Sequence, residues 1–189
     1  MSLAAVGIGS NLGDRLANLV AATVGLGAEA RLAGVSSIYE TAPVGGPEQG
    51  PFLNAVAIVE TARPAAALLE SMLSIERARD RKRLVRWGPR SLDLDLLLFD
   101  AAMIDLPGLT VPHPRLLERR FVVEPLLEVW PEAVLPDGTS VGSIGVEGDE
   151  PIAVYPFPSV SSPLGGGGLV FAPPSGGSTA RRAGRGVKP

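Results

Sequence analysis

Residues 86–100 read R-W-G-P-R-S-L-D-L-D-L-L-L-F-D. From residue 92 the apolar run of a buried strand is interrupted only by Asp93 and Asp95, and side chains two apart on a strand share a face. The two carboxylates therefore point the same way. Carboxylates that close repel each other, so one titrates high unless a cation lies between them, and an all-oxygen pair of this kind suits Mg²⁺. Just upstream stand Arg86, Trp87 and Arg90, with Gly88-Pro89 setting a turn between them. Guanidinium forks chelate phosphate oxygens and tryptophan offers a flat stacking surface. Metal, phosphate and an aromatic plane are what a nucleoside triphosphate site requires. An isolated D-x-D pair is usually structural. Here seven basic residues lead into it (Arg77, Arg79, Arg81, Lys82, Arg83, Arg86, Arg90) against the single acid Asp80, which favours chemistry over a solvated face.

Working outward, the segment before this stretch has helical periodicity over residues 65–79, with Leu68, Leu69, Met72, Leu73 and Ile75 as its apolar stripe. Before that, residues 52–61 (F-L-N-A-V-A-I-V-E-T) form an apolar, β-branched strand. Asn54 inside it must find partners, either a neighbouring loop or a polar ligand, and Phe52 on the same face would set an aromatic beside that amide. Residues 34–40 alternate as a strand and lead into a loop rich in glycine and proline over 41–51. Residues 3–9 are a buried first strand. The turn Ser10-Asn11-Leu12-Gly13-Asp14 follows, with Asp14 placed to cap a helix through Leu26. A glycine turn feeding a helix can cradle phosphate, but this one lacks the Gly-Lys-Ser/Thr ending of a phosphate loop and reads as a tight strand-to-helix connection.

Downstream, residues 102–107 suggest a short edge strand. The V-P-H-P run at 111–114 cannot be helical, and it fixes the direction of His113, the sole histidine, either as a surface residue or as a ligand. A final helix is expected over 115–129, kinked or broken at Pro125. The order β-α-β-β-α-β with a trailing helix predicts an α+β, ferredoxin-like antiparallel sheet with helices on one face. Residues 1–148 make one domain. Residues 149–189 are expected to be a disordered tail, since 151–189 hold eight glycines, seven prolines and little periodicity.

The formal charge of −3 conceals an asymmetry, because residues 151–189 carry four bases and no acid while the first 150 carry 13 basic and 20 acidic side chains. An acidic body disfavours a general nucleic-acid partner, which needs an extended basic surface. With no cysteine, disulfides and thiolate metal sites are excluded. No apolar run approaches 18 residues and the start lacks a signal-like pattern, so a soluble cytoplasmic protein without membrane partner, and a monomer, is expected.

The sets Gly9-Ser10-Asn11-Leu12-Gly13-Asp14, Tyr39-Glu40-Thr41-Ala42-Pro43, Phe52-Leu53-Asn54-Ala55, Arg86 to Asp95, Val111-Pro112-His113-Pro114-Arg115 and Arg119-Arg120-Phe121 together resemble the 6-hydroxymethyl-7,8-dihydropterin pyrophosphokinases of folate biosynthesis over roughly residues 3–140. The resemblance implies transfer of the β,γ-pyrophosphoryl group of ATP to the pterin hydroxymethyl oxygen, with release of AMP. By the same resemblance Asp93 and Asp95 hold two Mg²⁺ ions. Phe52 and Phe121 sandwich the pterin, and Asn54 with the backbone around Thr41, Pro43 and Val44 reads its edges. Glu76, Arg81, Arg83, Arg86, Trp87, Arg90, His113 and Arg119 form the ATP-contacting set. Among these Arg83, Arg86, Trp87 and Arg90 act in catalysis, with Trp87 on the family's mobile catalytic loop. Ala42 departs from the proline of many members. The loop over 80–85, which carries Arg81 and Arg83, is a residue shorter than in some.

Two other classes meet specific objections. A polymerase-β-like nucleotidyltransferase wants its Gly-Ser and D-x-D about a dozen residues apart, whereas Ser10 and Asp93 are far separated in this chain. An RNA-binding module on the same topology wants stacking aromatics on the sheet and a basic face, and aromatics are only 5% of this chain.

Overall fold

The computed structural model describes residues 1–79, 88–146 and 151–156. Its centre is a six-stranded antiparallel sheet built on three long strands: β1 (Ser2–Ser10), β4 (Phe52–Thr61) and β5 (Asp93–Phe99). β1 lies between β4 and β5. Helix α1 (Arg15–Glu29) returns the chain from β1 to the short strands β2 (Arg31–Val35) and β3 (Tyr39–Thr41), both of which pair with β4. Helix α2 (Ala65–Arg77) joins β4 to β5. The strand order matches the ferredoxin-like arrangement expected from the sequence.

Each element forms for a local reason. Asp14 caps α1 by accepting from the Ala17 amide at 3.0 Å, and Leu19, Ala22, Thr23 and Leu26 make its buried stripe. Pro64 precedes α2, where a missing N–H costs nothing, and Leu68 and Met72 are fully buried. β4 is buried along nearly its whole length, which is why it reads as a continuous apolar run rather than an alternation.

The single strand expected over 34–40 is two strands. Ser36 interrupts the ladder: its Oγ accepts from the Val56 amide at 2.9 Å and donates to the Ser37 carbonyl at 2.7 Å, so a side chain takes over part of the pairing. The short strand expected near 102–107 does form, as β6 (Ile104–Leu106), but it pairs with β7 (Leu109–Val111) in a separate hairpin and not with the main sheet.

The helices do not share one face. α1 and α2 cover one side of the sheet over Ala4, Val6, Ile8, Ala57, Val59, Leu94 and Leu96. Helix α3 (Arg120–Val129) covers the other, where Val122, Val123 and Leu126 meet Ala5, Val56, Ile58, Leu97 and Leu98. The L-L-L-F end of β5 permits this, because the register slips between Ala5 and Val6 so that Leu97 and Leu98 both serve the α3 side. α3 starts at Arg120 and not near residue 115, and it runs unbroken through Pro125. With so late a start, proline sits just past the first turn and leaves only the Phe121 carbonyl without its helical donor.

The sheet also continues past the boundary placed at residue 148. Strand β8 (Ile152–Val154) pairs with β3, the Tyr155 amide donates to the Ile38 carbonyl at 2.7 Å, and the Tyr155 ring packs on the core. Composition concealed a three-residue edge strand at the head of a glycine- and proline-rich segment. No helix among the described residues is long and apolar enough to cross a membrane.

Candidate active site

On the α3 side, the sheet changes character toward the C-terminal end of β1. Cross-strand partners project from the same face, and Gly9 lies between Asp93 on β5 and Asn54 on β4, while Gly7 lies between Asp95 and Val56. Two glycines thus stand where side chains would fill the space between the carboxylates and β4. A Cβ on Gly9 would come within 3.2 Å of the Asn54 Oδ1. The gap opens into a cavity of about 530 Å³, walled by the loop after β3, the Gly88–Arg90 segment, the turn at His113 and the start of α3. That volume suits a small-molecule site.

Asp93 and Asp95 both face this cavity, as their spacing predicts. Arg90 pairs with Asp93, and the Arg119 guanidinium stands 3.8 Å from Asp95. Burial, then the neighbouring Asp93, raises the Asp95 carboxyl above its usual range, and His113, Arg119 and Arg90 only partly offset this. Burial lowers the pKa of His113, with Asp95 pulling the other way. The His113 amide donates to the Leu97 carbonyl at 2.9 Å and its Nδ1 accepts from the Arg115 amide at 3.1 Å, so a neutral ring carries its proton on Nε2. Burial, then Arg115, draws Arg119 below the ordinary arginine value. Its guanidinium carbon sits 5.7 Å from the centre of the Phe121 ring, a cation–π contact that fixes both at the rim.

Across the cavity, Asn54 is buried and donates through Nδ2 to Thr41 Oγ1 at 2.8 Å, which fixes the amide. Thr41 and Phe52 are direct partners across β3 and β4, so both share the floor with Asn54. α3 is tied to the same edge: Glu128 accepts from the Ser37 amide and hydroxyl at 2.9 and 2.8 Å and from the Tyr39 hydroxyl at 2.9 Å. Burial and that carboxylate raise the Tyr39 phenol well above its usual range.

Ten of the residues proposed from sequence meet at this cavity: Thr41, Val44, Phe52, Asn54, Arg90, Asp93, Asp95, His113, Arg119 and Phe121. Pro43 is not on its lining. Glu76 is also off it; the side chain is 3% exposed and its Oε1 accepts from the Leu94 amide at 2.8 Å, beneath β5. Arg81, Arg83, Arg86 and Trp87 lie outside the described residues. Sequence reasoning missed Gly7, Gly9, Gln49 and Arg115 on the lining. The signal for the glycines was present, since Gly-x-Gly in a strand repeats the period of Asp-x-Asp and marks a close approach. The turn after β1 proves to be a brace: Ser10 Oγ donates to the Ser91 carbonyl at 2.6 Å, and the Asn11 side chain bonds both Arg90 and the loop at 49–50.

Comparisons with known proteins agree on one family. The profile of the family described as 7,8-dihydro-6-hydroxymethylpterin-pyrophosphokinase (HPPK) matches residues 5–131. A 2-amino-4-hydroxy-6-hydroxymethyldihydropteridine pyrophosphokinase of Bacillus subtilis is 45% identical over 130 residues, covering 68% of this chain and 78% of the relative. The protein of the same name from Pseudomonas aeruginosa is 42% identical over 135 residues, covering 70% and 83%. Among solved structures, an HPPK-DHPS chain in complex with substrates aligns at a TM-score of 0.57 with 14% identity, which speaks for the fold alone. It covers 75% of this chain, and this chain spans 42% of it. The chain belongs to the 7,8-dihydro-6-hydroxymethylpterin-pyrophosphokinase family.

Proposed function

We infer that this chain transfers pyrophosphate from ATP to 6-hydroxymethyl-7,8-dihydropterin in folate biosynthesis. The hydroxymethyl oxygen bonds to the β-phosphorus of ATP, the bond from that phosphorus to the α,β-bridging oxygen breaks, and AMP leaves while the hydroxyl proton is lost to solvent or a neighbouring base. One observation carries the reading. A single cavity joins a same-face pair of carboxylates, flanking arginines and a histidine, and two aromatic rings beside a fixed amide.

Among the described residues no three His, Asp or Glu cluster as a closed metal site. Two carboxylates are nonetheless the donor set that Mg²⁺ accepts when substrate phosphates complete its shell. The raised Asp95 carboxyl fits too, since a cation beside the pair would offset both the burial and the repulsion from Asp93 that lift it. Asp93 and Asp95 would hold two Mg²⁺ ions, which when bound supply charge neutralisation and acidify the attacking hydroxyl. Arg90, His113 and Arg119 orient triphosphate oxygens. Phe52 and Phe121 stack on the pterin, while Asn54 and the backbone of the Thr41–Val44 segment read its edge. Binding fixes the two substrates in line, which is most of what phosphoryl-type transfer asks of a protein. A monomeric cytoplasmic enzyme acting on small molecules belongs to the same proposal.

The test is product identity. Purified protein given the dihydropterin and Mg-ATP should release AMP in step with the pterin diphosphate by phosphorus NMR. Release of ADP, or no AMP, would refute the reading.

A further inference from the structure

We propose that Asn11 is the positioning residue that holds the pterin-side and arginine-side walls of the cavity at one separation; this rests on the function proposed above. Asn11 directly follows β1 and is 8% exposed. Its Oδ1 accepts from the Arg90 amide at 2.8 Å, while its Nδ2 donates to Gln49 Oε1 at 2.9 Å and to the Gly50 carbonyl at 3.3 Å. Its own amide donates to the Arg90 carbonyl at 3.1 Å. Gln49 lies on the loop that carries Ala42 and Val44 to the cavity, and Arg90 closes the opposite side against Asp93. One amide thus touches both walls, which are far apart in sequence.

An amide is the side chain that fits these partners. It offers two N–H donors for two acceptors on the pterin side and one acceptor for the donor on the arginine side. Both donors are spent inside the protein and Asn11 is not on the cavity lining, so it positions and does not bind substrate. A shift of Arg90 displaces the guanidinium that neutralises Asp93, so the brace sets the charge geometry as well as the width. Preorganisation of this kind, by groups one layer behind the ligand contacts, decides how well a site is held.

The partners differ, and so will two variants. Asn11→Asp keeps an acceptor for the Arg90 amide but turns a carboxylate toward the Gly50 carbonyl. Asn11→Ala removes the side-chain bonds to both walls and keeps only the main-chain bond to the Arg90 carbonyl. We expect Asn11→Asp to raise KM for the dihydropterin about tenfold and leave KM for ATP within about twofold, whereas Asn11→Ala raises both, as loss of one or two hydrogen bonds implies. Calorimetric titration of the pterin into protein saturated with a non-hydrolysable ATP analogue should show the same tenfold weakening for Asn11→Asp. Equal effects of Asn11→Asp on the two substrates, or unchanged KM values with only a lower melting temperature, would overturn the proposal.

A substrate-free measurement separates this claim from the activity. The chain has no cysteine, so spin labels on Glu48→Cys and Pro89→Cys report the distance between the walls directly. The distribution should be narrow with Asn11 present and broad in Asn11→Ala. An identical distribution in both refutes the brace even if the enzyme turns over, and a protein that broadens as expected but releases no AMP refutes the function and not the brace.

Discussion

The two faces of the β1/β4/β5 sheet are built from the same strands and end up with opposite characters. On the α1/α2 side, Ala4, Val6, Ile8, Leu94 and Leu96 continue apolar along the strands, and Leu19, Leu26, Leu68 and Met72 seal them. On the α3 side only half is sealed, by Leu97, Leu98, Val56 and Leu126; the other half carries Asp93, Asp95 and Asn54 around two glycines. The lesson is that β5 does both jobs at once through its period of two. Its even-numbered residues near the site build a core while its odd-numbered aspartates face the cavity.

The strongest way to break that contrast is to neutralise the polar half. Asp95→Asn should lower turnover by roughly 10³, a loss of about 4 kcal/mol of transition-state stabilisation, as expected when a preorganised electrostatic element is removed. The melting temperature of the metal-free protein should hold or rise, because Asp93 no longer faces a like charge. Steady-state AMP release and calorimetric melting check this together.

The sealed side should fail in the converse way. Leu68→Ala removes a fully buried side chain and should cost about 3 kcal/mol of unfolding free energy in urea titration. Activity per folded molecule should stay near wild type. A variant of normal stability and poor turnover would contradict the division of labour between the faces.

Phe121→Ala tests the rim, with a smaller effect. Loss of the ring should weaken pterin binding by about 1–3 kcal/mol and barely change nucleotide affinity, as measured by calorimetry. A drop confined to the nucleotide would mean that the two ends of the cavity are assigned in reverse.

The smallest expected effect is a pH dependence of stability in the absence of divalent metal. Asp95 keeps its proton to higher pH folded than unfolded, so from about pH 3.9 up to its folded value the native state holds more protons and stability falls as pH rises. Asn cannot titrate. The stability advantage of Asp95→Asn over wild type should therefore be least in acid, grow with pH through that window and then level off. His113, lowered by burial, contributes the opposite slope in both proteins, with stability lost as pH falls below about 6.5. A constant difference between the proteins across the range would contradict the raised Asp95 value.

Much of this was legible beforehand, and the gaps have physical causes. β1, β4, α2 and β5 announced themselves by long apolar runs or clean periodicity. The break between β2 and β3 did not, since it depends on a serine hydroxyl entering the ladder from Val56, a tertiary event. Which side α3 covers was hidden because Leu96, Leu97 and Leu98 are all buried and only the register slip sorts them between faces. β8 was hidden because three residues of strand carry no period of their own. In the site, the aspartates were readable from spacing. Gly7 and Gly9 were not read as site residues: their period of two matches that of the aspartates, but which side chains they make room for is fixed by their cross-strand partners.

We propose that the paired aspartates make the polar half of the sheet a metal-dependent nucleotide site. Titrating a non-hydrolysable ATP analogue into the protein, with and without Mg²⁺, tests it most directly. Wild type should bind at least tenfold more tightly with Mg²⁺, and the Asp93→Asn/Asp95→Asn double variant should lose that gain while remaining folded. Equal affinity with and without Mg²⁺ in wild type, or a Mg²⁺ gain that survives in the double variant, would contradict it.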